Sequence, residues 1–126
     1  MRAYEIMTKK VITISKDKTA YQAAKLMRKH DIGALPIMDG SKLIGIITES
    51  DIFKNVVAKN ILPGKISVKS IMTEKVITAP PDITVHELNG ILYTNSIRRI
   101  LIVDKGKILG IVSASDLIRQ AYHWKK

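Results

Sequence analysis

The chain has 126 residues, 46% of them apolar and 25% charged, with a net charge of +10 and no cysteine. This balance excludes a disordered chain, and no apolar run approaches the roughly 20 residues a membrane-spanning helix needs. Without cysteine there are no disulfides, thiolate zinc sites or cysteine nucleophiles. The positive charge is evenly spread: 11 basic and 6 acidic residues lie in 1–62, and 10 and 5 in 63–126. Adjacent basic pairs are limited to Lys9-Lys10, Arg28-Lys29, Arg98-Arg99 and Lys125-Lys126, so dispersed lysine reads as solvated surface ahead of a phosphate track. Residues 1–15 carry Glu5 and polar threonines where a secretory signal has a continuous apolar stretch, and a cytoplasmic protein is expected.

In chain order, residues 10–14 form a short β-branched run that predicts a strand. After a turn at Asp17, Thr19 stands three residues before Gln22, the pattern of a reciprocally capped helix start. Ala20, Ala23, Ala24 and Met27 then recur at helical spacing over about three turns. Strands are predicted at 34–38 and 42–48 around an Asp39-Gly40-Ser41 turn, then a helix over 49–59. Residues 60–70, with Pro63-Gly64, read as a link inside one module. The order then repeats: a strand at 75–79, Pro80-Pro81 and Asp82, a helix capped by Thr84 and Glu87 with Val85, Leu88, Ile91 and Leu92 on one face, strands at 99–103 and 107–113 around Lys105-Gly106, and a helix over 114–122.

The second pass is a copy of the first at a fixed offset of 65 residues. Residues 6–54 and 71–119 share 17 identities in 49 gapless positions, among them Ile6-Met7-Thr8 with Ile71-Met72-Thr73 and Gly45 through Ile52 with Gly110 through Leu117. The expectation is an α+β fold of two βαββα repeats, 1–62 and 63–126, packed about a pseudo-two-fold axis. Each repeat alone would bury only about 60% of the surface its unfolded chain exposes, so the repeats should share a core.

Catalysis finds little support in these residues. His30, His86 and His123 show no metal-ligand spacing, and there is no nucleophile elbow and no glycine-rich phosphate loop. The chain is therefore read as a non-enzyme. The segment repeated most faithfully offers more: Thr48-Glu49-Ser50-Asp51 and Ser113-Ala114-Ser115-Asp116 lie where a strand turns into the last helix of each repeat. Helix-start N–H groups attract phosphate, and a carboxylate accepts from the two hydroxyls of a ribose. The same spacing is also a plain helix cap, with Thr48 and Asp51 serving the helix end, although Ser50 and Ser115 have no capping duty. Both readings stand at this point.

The repeated order of I-M-T, V-I-T, a capped helix, an apolar residue before P-I-x-D, and G-h-h-[ST]-x-S-D-h resembles the cystathionine-beta-synthase (CBS) domain family in its paired form, the Bateman module. The resemblance covers residues 3–122. It implies a regulatory module with two clefts related by pseudo-symmetry, occupied by AMP, ADP, ATP or, with less weight, S-adenosylmethionine, and pairs that assemble as homodimers. No required cofactor, metal or membrane partner follows from it, and the regulated partner has no signature in the chain. Carried over by position, Asp51 and Asp116 would hold ribose hydroxyls, and Thr48, Ser50, Ser113 and Ser115 would contact ribose or phosphate. The adenine would lie between Ile12-Thr13 or Ile77-Thr78 and the segments Ala34-Leu35-Pro36 or Arg99-Ile100-Leu101.

The copies differ at the site. Repeat two has Arg98-Arg99 for Gly33-Ala34, a planar cationic fork suited to phosphate, of which one side chain at most faces inward if both lie in a strand. It also has Leu101 for Pro36, so the two sites should differ in affinity. The competing reading is a basic adaptor of the same fold that binds nucleic acid or another protein without a nucleotide, distinguished by steep salt dependence.

Overall fold

The computed structural model describes residues 1–124; the Lys125-Lys126 pair lies outside the described residues. The elements run α1 (Ala3–Ile6), β1 (Ile14–Ser15), α2 (Ala20–His30), β2 (Ala34–Asp39), β3 (Lys42–Thr48), α3 (Glu49–Ile52), α4 (Val68–Ile71), β4 (Thr78–Ala79), α5 (Val85–Asn95), β5 (Arg99–Asp104), β6 (Lys107–Ser113) and α6 (Ala114–Trp124). There are two three-stranded sheets, ordered β1-β2-β3 and β4-β5-β6. In each, the first strand runs parallel to the second and the second antiparallel to the third. Among the described residues no helix is long and apolar enough to cross a membrane.

The capped helices form as their sequences predict. At α2 the Thr19 N–H donates to Gln22 Oε1 (2.9 Å) and the Gln22 N–H to Thr19 Oγ1 (3.2 Å). At α5 the Thr84 and Glu87 pair does the same at 3.1 Å each way. Both helices end on a left-handed residue that is not glycine, Asp31 and Ser96, each with φ of 52°. The β5–β6 turn places Lys105 and Gly106 at φ of 52° and 77°, the two left-handed positions of a tight hairpin.

The chain divides into two compact units that do not follow the repeat boundary. One is Ile12–Val76; the other joins Met1–Val11 to the chain from Ile77 onward. The repeats at 1–62 and 63–126 thus describe the duplication, while packing exchanges their opening segments. The physical link is backbone pairing: Thr73 and Ile46 exchange N–H···O bonds of 2.9 and 3.0 Å, as do Thr8 and Ile111. The predicted link at 60–70 belongs to the first unit, where Val68 N–H donates to Lys18 O and Ala20 N–H to Ile66 O, both 2.9 Å. In the second unit Ala3 N–H donates to Ile83 O (2.8 Å) and Val85 N–H to Met1 O (2.9 Å), so residues 1–3 do the work of 66–68.

Each unit has its own apolar core. Leu35, Ile37 and Ile47 meet Ala20, Ala23, Met27, Val56 and Val68 in one; Ile100, Ile102 and Val112 meet Leu88, Leu92, Leu117 and Ala3 in the other. Gly45 and Gly110 are required by close approach rather than by turn geometry. A Cβ on Gly45 would stand 3.0 Å from Thr73 O, and one on Gly110 would stand 2.9 Å from Thr8 O and 2.7 Å from Met7 Cγ. The I-M-T and G-h-h motifs are therefore one device, each glycine making room for a crossing segment.

Three predicted elements are corrected. The opening strands are two residues long, because only Ile14–Ser15 and Thr78–Ala79 enter a ladder. The helix expected over 49–59 is α-helical only to Ile52 and continues as a π-helix over Phe53–Val57, whereas its copy α6 is α-helical throughout. The short helices α1 and α4, each followed at its C-cap by the methionine of I-M-T, had no periodicity long enough to announce them.

Candidate functional site

The two faithful copies of [ST]-x-S-D form matching corners, one in each unit. In the first, β3 delivers Thr48 opposite Ala34 in register, and α3 begins at the next residue. Glu49 N–H donates to Gly33 O (3.0 Å), which ties the corner to the start of β2. Thr48 N–H and hydroxyl donate to Asp51 Oδ2 at 2.9 and 3.1 Å, and Asp51 N–H donates back to Thr48 Oγ1 (3.2 Å). In the second corner Ser113 stands opposite Arg99. Ala114 N–H donates to Arg98 O (2.8 Å), Ser113 N–H to Asp116 Oδ2 (2.8 Å), and Asp116 N–H to Ser113 Oγ (3.1 Å).

The capping reading of this motif is therefore realised in both copies, through one carboxylate oxygen. The other oxygen differs. Asp51 Oδ1 receives a long bond from the Thr73 hydroxyl, 3.4 Å, brought in by the crossing segment. Asp116 Oδ1 is held by the Arg119 guanidinium at 3.2 Å, one helical turn away. Ser50 and Ser115 are exposed, and their hydroxyls make no hydrogen bond among the described residues.

The residues expected around the base take three kinds of position. Leu35 and Ile100 are core residues, so their side chains are committed and only their backbone is on offer. Ala34, Pro36 and Leu101 are buried outside those clusters, on the alternate face of their strands. Ile12 and Ile77 are half-buried beside β2 and β5, while Thr13 and Thr78 are exposed. Of the arginine pair, Arg98 is exposed ahead of β5 and Arg99 is half-buried at its first residue, as strand alternation requires.

Proline makes the two sheet edges unequal. In the second unit Leu101 N–H donates to Ile77 O (3.4 Å), and the ladder opens with Thr78 opposite Leu101. Pro36 has no N–H, so the first ladder opens a residue later, with Ile14 opposite Ile37. The Ile12 carbonyl then receives no hydrogen bond among the described residues.

Two residues of these corners escaped the sequence reading. Thr73 was visible as part of a repeated motif but not as a neighbour of Asp51, because the contact spans 22 residues and joins the two repeats within one unit. Arg119 had a local signal, three residues after an aspartate on a helix, but its copy Lys54 diluted it. Elsewhere, a groove of about 390 Å³ runs between α5 and α6, lined by Leu92, Tyr93, Ile97, Leu117 and Ile118 among others; none of the expected ligand residues lines it. Among the described residues no three His, Asp or Glu side chains are placed to hold a metal ion.

Comparison with known proteins adds the following. The family model described as CBS domain matches twice, over residues 3–58 and 68–123. An inosine-5'-monophosphate dehydrogenase of Korarchaeum cryptofilum is 36% identical over 97% of this chain, which spans 25% of that enzyme. The CBS domain-containing protein YhcV of Bacillus subtilis is 31% identical over 90% of this chain and 80% of its own length. Among solved structures, the CBS domain pair of protein MJ0100, in complex with 5'-methylthioadenosine and S-adenosyl-L-methionine, superposes with a TM-score of 0.88 at 35% identity, covering 100% of this chain and 98% of that one.

Proposed function

The chain belongs to the CBS domain family, of which it carries two copies, and from that premise we propose that it is a regulatory module that senses an adenosyl compound and has no catalytic step of its own. Its ligand is an adenine nucleotide, AMP, ADP or ATP, ahead of S-adenosylmethionine. The observation that carries this reading is the form of the two corners. Each aspartate spends one oxygen on the cap and keeps the other beyond it, next to an exposed serine that has no structural duty. Asp51 and Asp116 are assigned to ribose hydroxyls, and Thr48, Ser50, Ser113 and Ser115 to ribose or phosphate. Backbone groups of 12–13 with 34–36, and of 77–78 with 99–101, are assigned to the base. Arg99, beside Ser113, is assigned to phosphate, with exposed Arg98 contributing long-range attraction. The ligands named in the MJ0100 structure support an adenosyl preference.

Signalling then requires a regulated partner that meets two states of the module differently, since a ligand bound equally by both shifts nothing. We place the protein in the cytoplasm and assign it a homodimer that covers the apolar face around Tyr93 and Ile118, which are 88% and 71% exposed. Isothermal titration with AMP, ATP and S-adenosylmethionine, repeated on Asp51→Ala and Asp116→Ala, tests the reading. Loss of a cap costs each variant about 0.5–2 kcal/mol of stability whatever the function. The expected result is loss of heat for an adenosyl ligand beyond that. Variants that only melt earlier, with no ligand bound by the parent and steeply salt-dependent retention of nucleic acid, would favour the basic adaptor.

A further inference from the structure

The two corners are chemically unequal, and both differences point the same way. The Asp51 corner presents two acceptors with little to satisfy them. Its Oδ1 has only the long bond from Thr73, and the Ile12 carbonyl receives none because Pro36 cannot donate. The Asp116 corner has the same two acceptors already engaged, by the Arg119 guanidinium and by the Leu101 N–H. Lys54 is the copy of Arg119, without the planar fork of a guanidinium, and it makes no ion pair with Asp51 among the described residues.

Resting on the adenosyl reading above, we propose that the sites are graded. The Asp51 corner with the Ile12 carbonyl is the standing site, and the Asp116 corner is held shut by Arg119 and by the Leu101–Ile77 bond until ligand displaces them. The standing site takes a ligand that donates twice, from a sugar hydroxyl to Asp51 Oδ1 and from an exocyclic amino group of the base to Ile12 O. Arg119 is thus a competitor of the ribose, and Pro36 a specificity-determining residue that acts by withholding a donor.

The test is a titration of ¹⁵N-labelled full chain with adenosine, which carries no phosphate and so removes the general attraction of arginine from the measurement, followed by AMP. The amides of Ser50 and Ser115 report the two corners separately. The Ser50 signal is expected to saturate at lower adenosine concentration than that of Ser115. Arg119→Gln is expected to tighten the Ser115 response about two- to five-fold, the range of an exposed ion pair, and to leave Ser50 unchanged. Pro36→Leu, which installs the residue the second copy already accommodates as Leu101, is expected to weaken the Ser50 response about five-fold by restoring the ladder donor. Ser115 saturating first, or Arg119→Gln leaving the Ser115 response unchanged or weaker, overturns the grading while the adenosyl reading stands. If neither amide responds to adenosine or AMP in the parent, the adenosyl reading itself fails and the grading with it.

Discussion

Replacing Gly110 by alanine probes the crossing of the opening segment over the second unit. The added Cβ would stand 2.9 Å from Thr8 O and 2.7 Å from Met7 Cγ, where ordinary carbon contacts begin near 3.5 Å. Met7 can rotate away, but Thr8 O is fixed by its own bond from the Ile111 N–H (3.0 Å) in the ladder that the glycine belongs to. The backbone must therefore shift, at the roughly 1–3 kcal/mol typical of overpacking. An unfolding entropy of roughly 2.1 cal/mol/K per residue over 126 residues gives about 0.26 kcal/mol/K, so the midpoint should fall by about 4–11 °C. Thermal unfolding followed by circular dichroism measures this, with amide exchange at Thr8 and Ile111 as the local readout. The double variant Met7→Ala/Gly110→Ala should recover part of the loss beyond additivity, since the two side chains share one space. A midpoint within about 1 °C of the parent, with Thr8 and Ile111 still protected, would refute the claim that this glycine exists for close approach.

Gly90 is the opposite case. It sits inside α5 with nothing within 4 Å of a would-be Cβ, so Gly90→Ala should raise the midpoint by about 4 °C, from the roughly 1 kcal/mol difference in helix propensity. At the start of α5, the Thr84 hydroxyl and then its backbone N–H hold the Glu87 carboxyl below the ordinary glutamate value. A lowered folded-state value means that this support is present above the ordinary glutamate pKa and is lost as pH falls through the lowered one. Glu87→Gln, which reproduces Gln22 of the first copy, should therefore lose less stability than the parent between roughly pH 6 and pH 3 in parallel melts. Ile118→Lys should convert the proposed dimer to monomer by sedimentation while shifting stability by no more than about 0.5 kcal/mol, since Ile118 is 71% exposed in the single chain. A dimer that survives the lysine would exclude this face.

Whatever depends on neighbours along the chain was legible in the order of residues. Threonine three residues before Gln22 or Glu87 closes a local ring of hydrogen bonds, so both long helices begin where the spacing predicts. The hairpins β2–β3 and β5–β6 follow from β-branched runs around two-residue turns, and the 65-residue repetition set the two-copy architecture. The form of the candidate site was legible to the same degree, because a strand-to-helix corner is a local event. The remaining features are non-local or conditional and emerge only on folding. Ile6-Met7-Thr8 and Ile71-Met72-Thr73 read as labels of their own repeats, yet each completes the other repeat's unit, since backbone pairing across a chain crossing leaves no periodic trace. The first ladder opens a residue later than its copy because Pro36 has no N–H to donate. Asp51 and Asp116 are identical in sequence, but the rest of the structure set one beside a threonine from the crossing segment and the other under an arginine on a regular helical turn. Lys54 stands where the second copy has Arg119, and Thr73 arrives from a distant segment, so a faithful repeat yields chemically unequal corners.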